Sequence, residues 1–275
     1  MIGQLLQSKK GDKCNCEVQT YLMGIKYWIS TLILIISFST VSAQNSRINS
    51  NNTIGWFNYF GTFKLDKKFS IHSEYQWRRE DYVINWQQSL LRVGLNYQVK
   101  PSLQFRVGYA WIETFPYDEI PINGLGRDFT EHRIFQAATL SGSIEKWQFS
   151  HRFMLEQHWI GTYSDPTKTS EDEYLFLNRL RYMFRLQVPL KGNSIVNNTP
   201  YLAAYNEIFI GFGSNVNENV FDQNRIGLLL GYRFSDHLRI EGGYLNQTLQ
   251  LGREVEGRNV FQNNNGFIIN TYLDF

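Results

Sequence analysis

Residues 90–111 read LLRVGLNYQVKPSLQFRVGYAW, and their alternation decides the fold. Before a Lys100-Pro101-Ser102 turn, Leu91, Val93, Leu95, Tyr97 and Val99 alternate with Arg92, Gly94, Asn96 and Gln98. After it, Leu103, Phe105, Val107, Tyr109 and Trp111 alternate with Gln104, Arg106, Gly108 and Ala110. Successive strand side chains point to opposite faces, so this is a hairpin with one oily and one polar side. Soluble sheets show the same pattern, and the hairpin alone leaves open what the oily side touches.

The pattern recurs from Thr53 to the C-terminus with no competing helical period. It predicts strands near 53–64, 69–80, 84–99, 103–115, 131–144, 147–160, 174–188, 200–213, 222–234, 237–250 and 261–275. Many exceed the roughly 5–6 residues usual in globular sheets and suit the ~9–11 that cross a bilayer at a tilt. Tight connections at 65–68, 100–102, 145–146 and 235–237 alternate with longer polar ones at 116–130, 161–173, 214–221 and 251–260. Short turns at one rim and long loops at the other are the mark of an antiparallel transmembrane β-barrel. The 189–199 connection stands where a tight turn is expected and is too long for one. Eleven segments also conflict with the even number usual in single-chain bacterial barrels. The expectation is an all-β barrel of about 10–12 strands over 53–275. Either a strand is missed or split, or the polar segment 44–52 threads back through the barrel.

Sidedness holds along the chain. In 174–188, Phe176, Leu180, Tyr182, Phe184, Leu186 and Val188 oppose Arg179, Arg181, Met183, Arg185 and Gln187. A one-residue slip would exchange these faces completely. The polar faces are weighted to arginine and glycine, and from Gln44 onward there are 16 Arg against 7 Lys. That ratio suits enclosed, multiply hydrogen-bonded guanidiniums better than free surface. Lumen-lining candidates are Arg92, Arg106, Arg152, Arg179, Arg181, Arg185, Arg225 and Arg233, with Glu74, Glu156 and Glu207. Arg78, Arg133 and Glu241 share that parity, and Glu131/Arg133 and Arg239/Glu241 are expected ion pairs within single strands. Excess positive charge in such a tube would favour anions, while bulky arginines could equally fill a narrow barrel. Trp77, Trp111 and Trp159 fall toward long loops, and Trp147 and Phe275 lie beside the other rim, where headgroups favour aromatic rings.

The last segment, NGFIINTYLDF (265–275), places Phe267, Ile269, Thr271, Leu273 and the terminal Phe275 on one face. It resembles the C-terminal strand of bacterial outer-membrane barrels, which the barrel-assembly machinery reads. Upstream, Met23-Gly24-Ile25-Lys26 leads into YWISTLILIISFSTVSA (27–43), a lysine-bearing start, an apolar stretch and small residues at Val41 and Ala43. That pattern predicts a secretory signal peptide over 23–43 cleaved after Ala43, and together with the barrel pattern it leads to the expectation of a mature chain in the bacterial outer membrane. Residues 1–22 read as a doubtful extension and hold both cysteines, Cys14 and Cys16, so the exported chain would have no thiol chemistry. Outer-membrane lipid and the assembly machinery are the expected partners. Net charge of +2 with no basic run gives no reason to expect nucleic acid.

WQQSLLRVGLNYQ (86–98), EHRIFQ (131–136), HRFMLEQHWI (151–160) and NRLRYMFRLQVPL (178–190) resemble the DUF2490 family of uncharacterised bacterial outer-membrane β-barrel proteins. The resemblance covers about 54–275; it implies a barrel and carries over no activity, substrate or catalytic residue. The residues themselves offer little chemistry. His72, His132, His151, His158 and His237 are scattered, and no metal site, cofactor or catalytic residue is expected. No GxSxG elbow or histidine-serine-asparagine motif appears, and Glu156/His158 is the best acid–base pair. Three readings follow: a narrow anion-biased channel, a non-conducting structural or interaction barrel with ligand-binding outer loops, and, last, a lipid-modifying enzyme.

Overall fold

The computed structural model describes residues 47–216 and 219–275. The signal segment 23–43 and both cysteines lie outside the described residues. The described residues form eleven strands: β1 (Ile48–Lys64), β2 (Phe69–Glu80), β3 (Asn85–Lys100), β4 (Leu103–Thr114), β5 (Phe129–Ile144), β6 (Trp147–Thr162), β7 (Glu173–Pro189), β8 (Thr199–Phe212), β9 (Phe221–Arg233), β10 (Leu238–Val255) and β11 (Arg258–Asp274). Each pairs antiparallel with its neighbour in sequence, and β1 closes the barrel on β11. Among the described residues no helix is long and apolar enough to cross a membrane, which says nothing against crossing by strands.

The count of eleven is real. Alternating directions around an odd ring leave the first and last strands running the same way. β1 and β11 accordingly pair in parallel, with Ile54 opposite Gly266 and Tyr59 opposite Thr271. Ile48–Asn52 pairs with Val260–Asn264, so this polar stretch is wall and does not thread the barrel. The seam is close: a Cβ added to Gly266 would strike the Ile54 backbone. Glycine is therefore the residue that lets the barrel shut there.

Two connections differ from the sequence reading. Residues 251–260 form no long loop, because β10 and β11 continue to a two-residue turn at Glu256 and Gly257, both at positive φ (54° and 68°). Those angles match the right-handed twist of a hairpin. Polar residues on the flanking strand segments, including Asn246 and Asn263, blur the two-residue period on the approach to this turn. The long 190–198 connection, in turn, folds inward. Ile195 is buried in a cluster with Tyr201, Ala203 and Leu229, and Arg233 donates to its carbonyl at 3.3 Å.

The core of this barrel is its lumen. Ile54, Trp56, Tyr201, Leu229, Leu245 and Ile268 form one buried apolar group; Phe135, Ala137 and Met154 form another. Gly227 and Gly231 sit beneath the Tyr205 and Tyr201 rings, which occupy the space their side chains would need. The outer surface carries the opposite parity: Ile71, Val93, Val107, Phe153, Leu180 and Ile269 are exposed, and Leu230 reaches 58 % exposure. Monomeric soluble proteins rarely expose contiguous apolar surface beyond a few hundred Å².

Gly266→Val should prevent closure at the seam and abolish the fast-migrating unheated band on a semi-native gel. Gly242→Ala, whose added Cβ meets only ordinary contact with the Ile268 carbonyl at 3.8 Å, should leave that band unchanged.

Candidate functional site

Strand alternation sends every second side chain inward, and at mid-height these are carboxylates and guanidiniums. Glu156 on β6 is fully buried. It accepts from Arg179 Nη2 at 2.7 Å and Arg181 Nη1 at 2.8 Å, with Arg92 Nη2 at 3.7 Å. Around it, Glu74 pairs with Arg92 at 2.8 Å and with His72 at 3.0 Å. Glu207 takes Arg152 and Arg181, each at 2.7 Å. Arg179 also reaches Asp222 at 2.6 Å. Arg185 pairs with Glu241, which further accepts from the Tyr201 hydroxyl at 2.7 Å and the Tyr272 hydroxyl at 3.0 Å.

Several of these pairs join strands that are not neighbours: β3 to β6, β6 to β8, β7 to β9 and β7 to β10. They cross the interior and tie its walls together. A buried charge without a partner costs several kcal/mol, roughly, so the network holds only as a set.

Arg92, Arg152, Arg179, Arg181, Glu74, Glu156 and Glu207 thus converge on one network, whereas Arg185 belongs to a separate cluster with Glu241, Tyr201 and Tyr272. Arg106 instead donates to Asn96 at 2.5 Å, and Arg225 to Gln223 at 3.1 Å. Arg233 lies apart, at the short-turn rim, with Asp236 at 3.0 Å. Glu131 and Arg133 pair as expected at 2.6 Å. Arg239 and Glu241 do not: Glu241 is taken by Arg185 across the lumen, and Arg239 lies over the Tyr272 ring at 4.1 Å.

The rim aromatics face outward. Trp77 meets Phe57 with ring centres 5.0 Å apart, Trp159 meets Phe176 at 5.2 Å, and Phe275 stacks on Phe63 at 4.7 Å. Trp111 and Trp147 are exposed at opposite ends of their strands. Trp56 is the exception, buried inside and donating to Gln87 at 2.7 Å. Its register position opposite Arg78 is the clue that sequence reading passed over.

Above the network the lumen opens into a cup of about 530 Å³ on the long-loop side. Loop 115–128 reaches from β4 to the opposite wall and narrows its mouth. Tyr117 donates to Gln262 at 2.9 Å, Gln262 donates to the Ile120 carbonyl at 2.9 Å, and Arg253 donates to the Pro121 carbonyl at 2.7 Å. Burial pushes the Tyr117 phenol up to about 12, so it remains a donor at neutral pH. Asp118 on the same loop accepts from Ser50 and, at 3.1 Å, from Asn52.

His158 lies at the base of the cup between two carboxylates. Its Nδ1 is 2.5 Å from Glu131, and its Nε2 is 3.3 Å from Glu156. Neither ring nitrogen is free to draw a proton from a serine.

Glu156→Gln would leave several buried guanidiniums without their shared carboxylate. It should lower stability by about 3–5 kcal/mol, read as an earlier denaturant midpoint in detergent or lipid.

Comparison with curated proteins and with solved structures finds no match. Residues 53–256 match the family described as "Protein of unknown function (DUF2490)". That match spans most of the barrel wall, from β1 to the tip of the last hairpin. The chain belongs to the DUF2490 family.

Proposed function

We propose that this protein is a bacterial outer-membrane barrel that does not conduct, and that its working surface is the cup on the long-loop side. The observation that carries this reading is the filled lumen. Trp56, Phe135, Tyr201, Phe209 and Glu156 are all almost completely buried in the barrel interior, and ion pairs link strands that are not neighbours. The exposed apolar belt, the outward rim aromatics and the signal-like leader all support a bilayer setting. Tight turns then face the periplasm and the long loops face outward.

The same filling argues against the anion-biased channel, since Arg92, Arg152, Arg179, Arg181 and Arg185, most of the arginines that would select ions, are engaged with Glu74, Glu156, Glu207 and Glu241. A lipid-modifying site centred on His158 is disfavoured by the carboxylates on both its ring nitrogens. An interaction barrel with a ligand-binding outer face remains the best fit.

Purified protein should band with outer-membrane fractions, show a heat-dependent gel shift, and stay electrically silent in planar bilayers. Steady anion-selective current would return the channel reading, and recovery in the soluble periplasm without detergent would overturn the membrane assignment.

A further inference from the structure

Two guanidiniums that line the cup share one aromatic ring. Arg78 on β2 and Arg225 on β9 both sit over the Trp56 ring, at 4.0 and 4.9 Å from its centre. They are 5 % and 9 % exposed, and both line the cup. Arg78 is held by the side-chain oxygens of Gln76 and Gln88. Arg225 uses only its Nε, toward Gln223, and its two Nη groups have no hydrogen-bond acceptor among the described residues.

Glu207 stands opposite Arg225 in the β8–β9 register, but its carboxylate is taken by Arg152 and Arg181, so neither Arg78 nor Arg225 has an ion-pair partner among the described residues. Arg133 and Arg179 also line the cup and are matched by Glu131 and Asp222, while Arg253 binds loop carbonyls. Five cup arginines therefore face two carboxylates among the described residues. Like charges in one cavity repel, and a buried guanidinium without a counter-charge is costly. Such a pair becomes favourable when an anion completes it, and planar guanidinium forks match carboxylate and phosphate oxygens.

The wall above this pair has a different character. Phe129, Ile160, Leu177, Val216, Leu249 and Leu251 line it, and Val216 and Leu251 are buried. A polar anchor beneath an apolar wall, in a cavity of this size, is the usual form of a small-molecule site. We infer that the cup binds an amphiphilic anion, its carboxylate or phosphate head held by Arg78 and Arg225 over Trp56, and its apolar body against the upper wall. This rests on the reading of the cup as the working surface.

The test uses the mature chain in nanodiscs of zwitterionic lipid, with binding followed by calorimetry and by Trp fluorescence. The probes are octyl phosphate, octanoate, octanol and inorganic phosphate. Octyl phosphate or octanoate should bind at least ~10-fold tighter than octanol and than inorganic phosphate, which separates a headgroup on an apolar body from a free ion. Arg225→Gln should weaken the anionic amphiphile ~10-fold or more and leave octanol unchanged, while Arg225→Lys should recover part of the loss. The heat-dependent gel shift reports that each variant is folded. If Arg225→Gln fails that check, Val216→Trp, which fills the upper wall, should show the same loss of binding. Equal affinity for octanol and octyl phosphate overturns the inference, as does inorganic phosphate matching octyl phosphate, or unchanged binding in a folded Arg225→Gln. Absence of anion binding with outer-membrane fractionation and bilayer silence intact overturns the inference alone and leaves the sealed barrel standing.

Discussion

Three guanidiniums and an imidazole converge on Glu156, a carboxylate that no water reaches. Most of the interior follows from that convergence. Arg179 and Arg181 carry it on to Asp222 and Glu207, and Arg92 carries it to Glu74. Because some of these links, Arg92 to Glu156 and Arg179 to Asp222 among them, join strands that do not touch, the network braces the wall from within. Apolar groups pack beside the charges, and Arg92 lies 5.2 Å from the centre of the Phe135 ring while Arg181 lies 4.4 Å from that of Phe209. The interior is therefore not a purely oily core. It is an ionic core with aromatic fillers, in which each of the buried carboxylates Glu74, Glu131, Glu156, Glu207 and Glu241 has a guanidinium partner.

Much of this was legible in the sequence because a two-residue period leaves a durable trace. Runs such as Leu91 to Val99 and Ile226 to Phe234 gave the sides of the wall directly. The arginine-to-lysine bias pointed to enclosed guanidiniums. The predicted strands lie within a few residues of those observed, apart from the start of β1 and the tips of β10 and β11. Those are the places where the outward residues become polar: Asn49, Asn51, Asn246 and Asn263 erase the contrast between faces without ending the strand. Polarity there does not signal loss of pairing.

The site was harder to read, for a physical reason. Alternation says which side chains point inward; it does not say which meet across a barrel. Arg239 and Glu241 share a strand face two residues apart, yet Glu241 is held by Arg185 from three strands away. Trp56 has the composition of a rim residue and lies inside, where Arg78 and Arg225 rest on it. The inward fold of 190–198 and the reach of loop 115–128 depend on the shape of the enclosed space, which exists only once the ring has closed.

The parallel β1–β11 seam has a consequence for how the chain is oriented. With an odd number of staves, Ile48 and Phe275 stand at opposite rims of the hoop. A label introduced beside Ile48 would report on the long-loop rim, and one beside Phe275 on the tight-turn rim. The first stave also finds its final partner only when the last is in place, so the hoop cannot be completed piecemeal.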